Sequence, residues 1–149
     1  MPAVSPAHAL YNLAAWLAQP LMRRKLARRA RAEPLYGERV PERFGHGYAA
    51  PAVAGEAERP LWIHAVSLGE TRAAAILMAA LRARRPGLRF LLTHGTATGR
   101  AEGAKLLREN DGQAWQPWDT PQAVARFLAH FRPRAGVLME TEIWPNLIA

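Results

Sequence analysis

Trp62-Ile63-His64-Ala65-Val66-Ser67-Leu68-Gly69-Glu70-Thr71 is the stretch on which the reading of this chain turns. An apolar run over 61–66 stops at Ser67, turns at Gly69 and sets Glu70 where a helix begins. Such a run reads as a buried strand entering a crossover helix. In an open α/β sheet, the loop leaving the carboxyl end of a strand is where ligands bind. Glu70 is therefore a candidate base. Gly69 lets backbone come close to a ligand, and a helix N-terminus favours the ionised, proton-accepting carboxylate. A first-turn Glu matched only to the helix dipole is the competing reading.

The same pattern recurs downstream. Residues 71–85 read as a helix ended by Pro86-Gly87, and 88–93 as the next strand. Gly95-Thr96-Ala97-Thr98-Gly99 opens a helix to about 107, which Asn110-Asp111-Gly112 breaks. Residues 114–118 form a short strand. Asp119 caps a helix over 120–131, with Pro121 in its first turn. A fourth strand covers 135–139, followed by Glu140-Thr141-Glu142 and by Ile143-Trp144-Pro145-Asn146-Leu147 entering another helix. Strand–helix alternation of this kind predicts an α/β fold, a Rossmann-like parallel sheet with flanking helices and right-handed crossovers. The unit at 61–149 is expected to be incomplete at its C-terminus, with Ala149 a truncation one turn into a helix.

Ahead of that unit, residues 8–22 carry Leu10, Leu13, Leu17 and Leu21 on one helical face. The stretch is too short for a span of about 20 apolar residues. Positive charge follows it instead of preceding it, unlike a signal peptide. Tyr11, Trp16 and the Arg23-Arg24-Lys25 collar suit a lipid interface. The segment 1–33 thus reads as an amphipathic, basic, membrane-associating helix, with packing on its own domain as the alternative. Residues 34–60 are broken by Pro34, Pro41, Pro51 and Pro60 and read as an irregular linker.

Composition narrows the chemistry. The 149 residues support one domain with a core and contain no Cys, which removes disulfides, thiolate metal sites and a Cys nucleophile. The net charge is +8, and basic residues crowd positions 23, 24, 25, 28, 29, 31, 39 and 43. That block suits an anionic surface. The carboxylates of the strand-end rim argue against nucleic acid. No histidines have metal-ligand spacing with a carboxylate nearby, so no metal is expected. The loop at 95–99 lacks a Walker Lys, no G-x-G-x-x-G follows a strand, and there is no G-x-S-x-G. The rim should collect Ser67, Gly69 and Glu70 from the first loop, Thr96 and Thr98 from the second, and Glu140 and Glu142 from the fourth. The two hydroxyls between glycines at 95–99 suit phosphate or sugar oxygens at a helix start, with Thr98 as a plain N-cap the alternative. If the chain is extended after the fourth strand, Glu140 and Glu142 point to opposite sides.

These motifs resemble the amino-terminal domain of the 3-deoxy-D-manno-octulosonic acid (Kdo) transferases. The resemblance rests on His64-Ala65-Val66-Ser67-Leu68-Gly69-Glu70, on Leu91-Leu92-Thr93 with Thr96-Ala97-Thr98-Gly99, and on Met139 to Leu147. It extends to Tyr36-Gly37-Glu38-Arg39-Val40-Pro41-Glu42-Arg43-Phe44-Gly45 and to the basic helix before it. Val40-Pro41 departs from a frequent Trp-Gly, and Ala97 from a frequent Pro. The resemblance implies the N-terminal half of a GT-B fold, with the CMP-sugar-binding domain absent from these residues. It implies metal-independent, inverting transfer of Kdo from CMP-Kdo to a lipid A precursor (lipid IVA) in lipopolysaccharide assembly, with no cofactor. By the same resemblance Glu70 is the general base and Glu140 a second essential acid. Ser67, Gly69, Thr96, Thr98 and Glu142 would line the acceptor side. The implied location is the cytoplasmic face of the inner membrane, peripheral or monotopic. These residues alone are expected to be inactive. A non-enzymatic membrane-surface binding module is the alternative.

Overall fold

A computed structural model describes residues 5–140 and 144–148. Four parallel strands form one sheet: β1 (Leu61–His64), β2 (Phe90–His94), β3 (Gly112–Trp115) and β4 (Ala135–Leu138). Their spatial order is β3-β2-β1-β4. The Rossmann-like α/β arrangement expected from the alternating pattern is therefore present. The order reverses between β1 and β4, which makes their carboxyl ends the switch point where such folds open a crevice.

Side-chain alternation along the strands builds two apolar layers. Ile63, Phe90 and Leu92 face α3 (Leu68–Arg84), meeting Ala74 and Met78. Trp62, Leu91 and Ala114 face the other way, onto Phe127 and Phe131 of α5 (Pro121–Phe131). Between β2 and β3 lies α4 (Ala97–Ala104), which ends three residues before the expected 107. β3 runs two residues earlier than expected, and Pro117, which has no N–H to give a ladder, lies beyond it.

The amino-terminal region differs most from its sequence reading. Instead of one helix over 8–22 there are two, α1 (Pro6–Leu17) and α2 (Gln19–Ala32), meeting at Ala18. Pro20 cannot sit inside a continuing helix without clashing one turn back, but it is tolerated in the first turn of a new one. α1 buries no side chain: Leu10, Leu13, Trp16 and Leu17 are more than half exposed, as is Leu21 on α2. No helix among the described residues is long and apolar enough to cross a membrane.

Residues 34–60 are irregular, as expected, yet part of them is interior. Short 3-10 turns at Pro34–Gly37 and Val40–Phe44 bury Tyr36, Glu42, Arg43 and Phe44. Tyr36 stacks on Trp115 with ring centroids 6.0 Å apart, and Leu26 and Ala97 complete that cluster. The Glu42 carboxylate is fully buried. Its Oε2 accepts from Arg100 Nη1 at 3.0 Å and from the Trp115 backbone N–H at 2.9 Å. The Arg43 guanidinium lies 4.0 Å over the Trp115 ring and donates to the Gly95 carbonyl at 3.4 Å. Burial pulls it down to about 10, so it stays cationic at neutral pH. Gly45 closes the turn at φ 83°, where a Cβ would stand 2.9 Å from that of Arg126. Part of the stretch that reads as an irregular linker in the sequence, Tyr36 and Glu42 to Gly45, is therefore interior beside β3 and α4, while Gly37, Glu38, Arg39 and Pro41 stay exposed.

Candidate functional site

The switch-point rim is built loop by loop. α3 starts at Leu68 with Ser67 as its N-cap, so Glu70 is the third helical residue. Ser67-x-x-Glu70 has the spacing of a capping box, a signal present in the sequence, with the Glu carboxylate returning to the Val66 N–H one residue before the cap. The Glu70 N–H donates to Ser67 Oγ at 3.3 Å, Ser67 Oγ donates to Glu70 Oε1 at 2.8 Å, and the Val66 N–H donates to Oε2 at 2.7 Å. Glu70 is thus a genuine cap as well as a rim carboxylate. Each of its oxygens makes one of these contacts and keeps lone-pair capacity for a further donor.

The second loop locks onto the first. Thr96, not Thr98, is the N-cap of α4: it accepts the Gly99 N–H at 3.1 Å and donates to the Val66 carbonyl at 2.8 Å. A Cβ on Gly99 would lie 2.8 Å from that same carbonyl, so the two loops touch backbone to backbone. Thr98 is exposed, with its Oγ1 3.4 Å from that of Thr96. Gly69 is exposed, and an added Cβ there would meet only Ser67 Oγ at 4.0 Å. Nothing in the protein itself requires glycine at that position, whereas close approach of a ligand would.

Beneath these loops sits His94, fully buried. Its Nδ1 lies 2.9 Å from the Ala65 carbonyl and 3.3 Å from Thr71 Oγ1, which in turn donates to the Ser67 carbonyl at 2.8 Å. Burial, with Arg100 and His64 adding repulsion, pushes its pKa down to about 4, so it is neutral at pH 7. His94 therefore supports the floor and does not line the cleft. His64 is also interior, with Nδ1 2.8 Å from Thr93 Oγ1.

Across the switch point, the Met139 N–H donates to the His64 carbonyl at 3.0 Å, carrying the β1–β4 pairing one residue past the strand. Glu140 follows, exposed on the same edge of the sheet as Ser67–Glu70. Glu142 lies outside the described residues. The chain then turns into α6 (Pro145–Ile148), a single turn whose first N–H groups need partners. Asp119 supplies them: Oδ2 accepts the Asn146 N–H and Oδ1 the Leu147 N–H, both at 3.0 Å. Thr120, not Asp119, caps α5, accepting the Ala123 N–H at 3.4 Å. Asp119 is a site residue that local sequence patterns assign to the wrong helix.

The structure therefore gathers Ser67, Gly69, Glu70, Thr96 and Thr98 into one cluster and places Glu140 at the neighbouring strand end. Among the described residues no three His, Asp or Glu side chains converge as metal ligands. Four members of the basic block, Arg24, Lys25, Arg28 and Arg29, share one open face of α2 with Leu21 and Ala32, whereas Arg23 lies over the Phe44 ring and Arg43 is buried.

Residues 38–149 match the family model described as 3-deoxy-D-manno-octulosonic-acid transferase (kdotransferase). A 3-deoxy-D-manno-octulosonic acid transferase of Bordetella pertussis is 55% identical over 116 residues, covering 74% of this chain and 26% of the relative. A relative of the same name from Haemophilus influenzae is 35% identical over 117 residues, 77% of this chain and 26% of its own length. One from Arabidopsis thaliana that also carries the transferase name is 38% identical over 110 residues, 74% of this chain and 24% of its own. The chain spans about a quarter of the length of these relatives. With the capped acidic loop, the Thr-x-Thr-Gly loop and the Glu-bearing β4 end all inside the matched region, the chain belongs to the 3-deoxy-D-manno-octulosonic-acid transferase family.

Proposed function

We propose that this chain forms the acceptor-side wall of a glycosyltransferase that moves Kdo from CMP-Kdo to a hydroxyl of a lipid A precursor, lipid IVA. The observation that carries the reading is the pair of acidic loops on adjacent strand ends at the switch point. Glu70 takes the proton of the acceptor hydroxyl as that oxygen bonds to the anomeric carbon of Kdo. The bond from that carbon to the phosphate of CMP breaks on the opposite face, and CMP leaves with the electron pair. Attack opposite the leaving group inverts the centre. The capping hydrogen bonds hold the carboxylate in place before substrate arrives, and this preorganisation is where the binding energy of the loop is used. Glu140 is the second acid. Ser67, Gly69, Thr96, Thr98 and Glu142 form the acceptor subsite, with the bare Cα of Gly69 allowing close approach. The donor is already activated by its phosphate ester, so no cofactor or metal is invoked.

The exposed row Leu10, Leu13, Trp16, Leu17 and Leu21 supports docking on the cytoplasmic face of the inner membrane. A helix of 12 residues is about 18 Å long, short of the roughly 30 Å of a bilayer core, so α1 lies on the surface. The basic face of α2 would meet anionic headgroups. That lipid acceptor and membrane are presented together gives the two features one purpose.

The test is Glu70→Gln in a protein of the relatives' full length. Transfer is expected to fall about 10²–10⁴-fold, the usual range for losing a general base, with the circular dichroism spectrum unchanged. Near-normal turnover would remove Glu70 from that role. Residues 1–149 alone are expected to give no transfer, because the matched 116 residues cover only 26% of the first relative. Measurable transfer by them would overturn that expectation. The apolar row also suits a non-enzymatic membrane-binding module. In that case Glu70→Gln would leave every phenotype of the full-length protein intact while loss of the row abolished it.

A further inference from the structure

The polar edge of α1 is as specific as its apolar one. His8, Tyr11 and Asn12 share one helical face and turn inward, away from Leu10, Leu13 and Leu17. Tyr11 Oη donates to Asp119 Oδ2 at 2.8 Å, and Asn12 Oδ1 accepts from Asn146 Nδ2 at 2.8 Å. Asn146 Nδ2 also donates to the Asp119 carbonyl at 2.7 Å, and its Oδ1 lies 2.9 Å from His8 Nε2. A backbone carbonyl can only accept, so the amide nitrogen must face Asp119 and the oxygen must face His8, whose Nε2 then carries the proton. Both donors and the acceptor of the Asn146 side chain are in use. Three stretches meet at this one side chain, with α1 more than 100 residues away in sequence from Asp119 and Asn146, which are themselves 27 apart.

The energetic setting makes this junction responsive. α1 has no buried side chain, so hydrophobic burial does not fix its position. α6 is a single turn, too short to persist alone, and its N–H groups rely on Asp119. The loop leading into it bears Glu140. We propose that Asp119 and Asn146 are positioning residues that tie the lipid-facing helix α1 to α6, the turn five residues after Glu140, so that seating α1 on a bilayer orders α6. This rests on the reading of α1 as a membrane-surface helix. The device firms α6 at the surface where a lipid acceptor is found. Burial, and then the hydrogen bond to Asp119, raise the Tyr11 phenol above its ordinary value, which favours its role as donor.

Backbone hydrogen–deuterium exchange at 144–148 reads the tie directly. It is measured in buffer and on phosphatidylglycerol/phosphatidylethanolamine vesicles, with Phe90–His94 as the internal reference for an intact fold. In buffer, Tyr11→Phe and Asn12→Ala should each speed exchange there roughly fivefold, the equivalent of one lost hydrogen bond, while the reference strand stays protected. Vesicles should slow exchange at 144–148 in the native chain. Tyr11→Phe should still sediment with vesicles but lose that slowing. Native-like exchange in both variants overturns the tie. Unchanged exchange in native chain that has bound vesicles overturns the ordering step. If the native chain fails to sediment with vesicles, the membrane reading and the ordering step fall together, and the buffer measurements still decide the tie. Leu13→Glu, which leaves the polar edge untouched, should abolish both sedimentation and slowing. Persistent slowing in that variant also overturns the ordering step.

Discussion

The Ser67–Glu70 loop and the α6 turn are held by opposite means. Ser67–Glu70 is capped from within: its cap and its carboxylate contacts come from residues 66–70, and the neighbouring Thr96 only adds to this by holding the Val66 carbonyl. The α6 turn that follows Glu140 in the chain is held from outside, by Asp119 and by Tyr11 and Asn12 from α1. A self-capped loop is rigid whenever the domain is folded. A loop pinned by distant polar side chains is only as firm as the elements that carry them. Under the proposed function, the pairing keeps Glu70 ready and firms α6 on contact with a surface.

The contrast fails most completely if the ground under both loops is removed. Glu42 is fully buried with Arg100 and the Trp115 N–H on one oxygen. Glu42→Ala leaves a buried guanidinium unpaired and should cost about 3–5 kcal/mol, read by urea unfolding, with both loops loosening together. Acid should separate them. The pKa of His94 is lowered to about 4 from an ordinary 6.5, so below pH 6.5 the unfolded chain takes up a proton that the folded chain refuses. Stability conferred by the neutral ring is intact above pH 6.5 and is lost as the pH falls towards 4, by up to about 3 kcal/mol. Among the described residues Nε2 has no partner to receive that proton's hydrogen bond. Because the ring sits under Ala65 and Thr71, exchange should rise first at 65–71 and later at 144–148. Replacing His94 with Gln should flatten the pH profile between those limits. The smallest effect is the most selective. Ser67→Ala removes one cap and should cost about 1 kcal/mol, loosening 66–70 while leaving 144–148 unchanged. Equal loosening of both loops would mean that they form one cooperative unit and that the contrast does not hold.

Legibility followed sequence distance. The strand ends, Glu70 and the Thr96/Thr98 turn were readable because each depends on a run of fewer than ten residues. Even there, the pattern placed the start of α3 three residues late and offered Thr98 as the cap in place of Thr96, because two hydroxyls two apart compete for one helix end. Asp119 was read as the cap of the next helix in the chain, the neighbour that sequence offers, while its carboxylate serves α6, which sequence does not bring near. Glu42 and Arg43 looked like solvated charges among prolines and glycines. Only packing on Trp115 and Arg100 makes them interior.

What this sequence determines by itself is the alternation of strands and helices, the apolar faces, the capped acidic turn and the family to which these belong, all consequences of local spacing. What the tertiary structure decided is the sheet order that puts the ends of β1 and β4 side by side, the burial of the Glu42–Arg100 pair, and the outward turn of the apolar face of α1. Those outcomes depend on which distant groups satisfy each other's hydrogen bonds and charges, and no period of 2 or 3.6 residues encodes that choice.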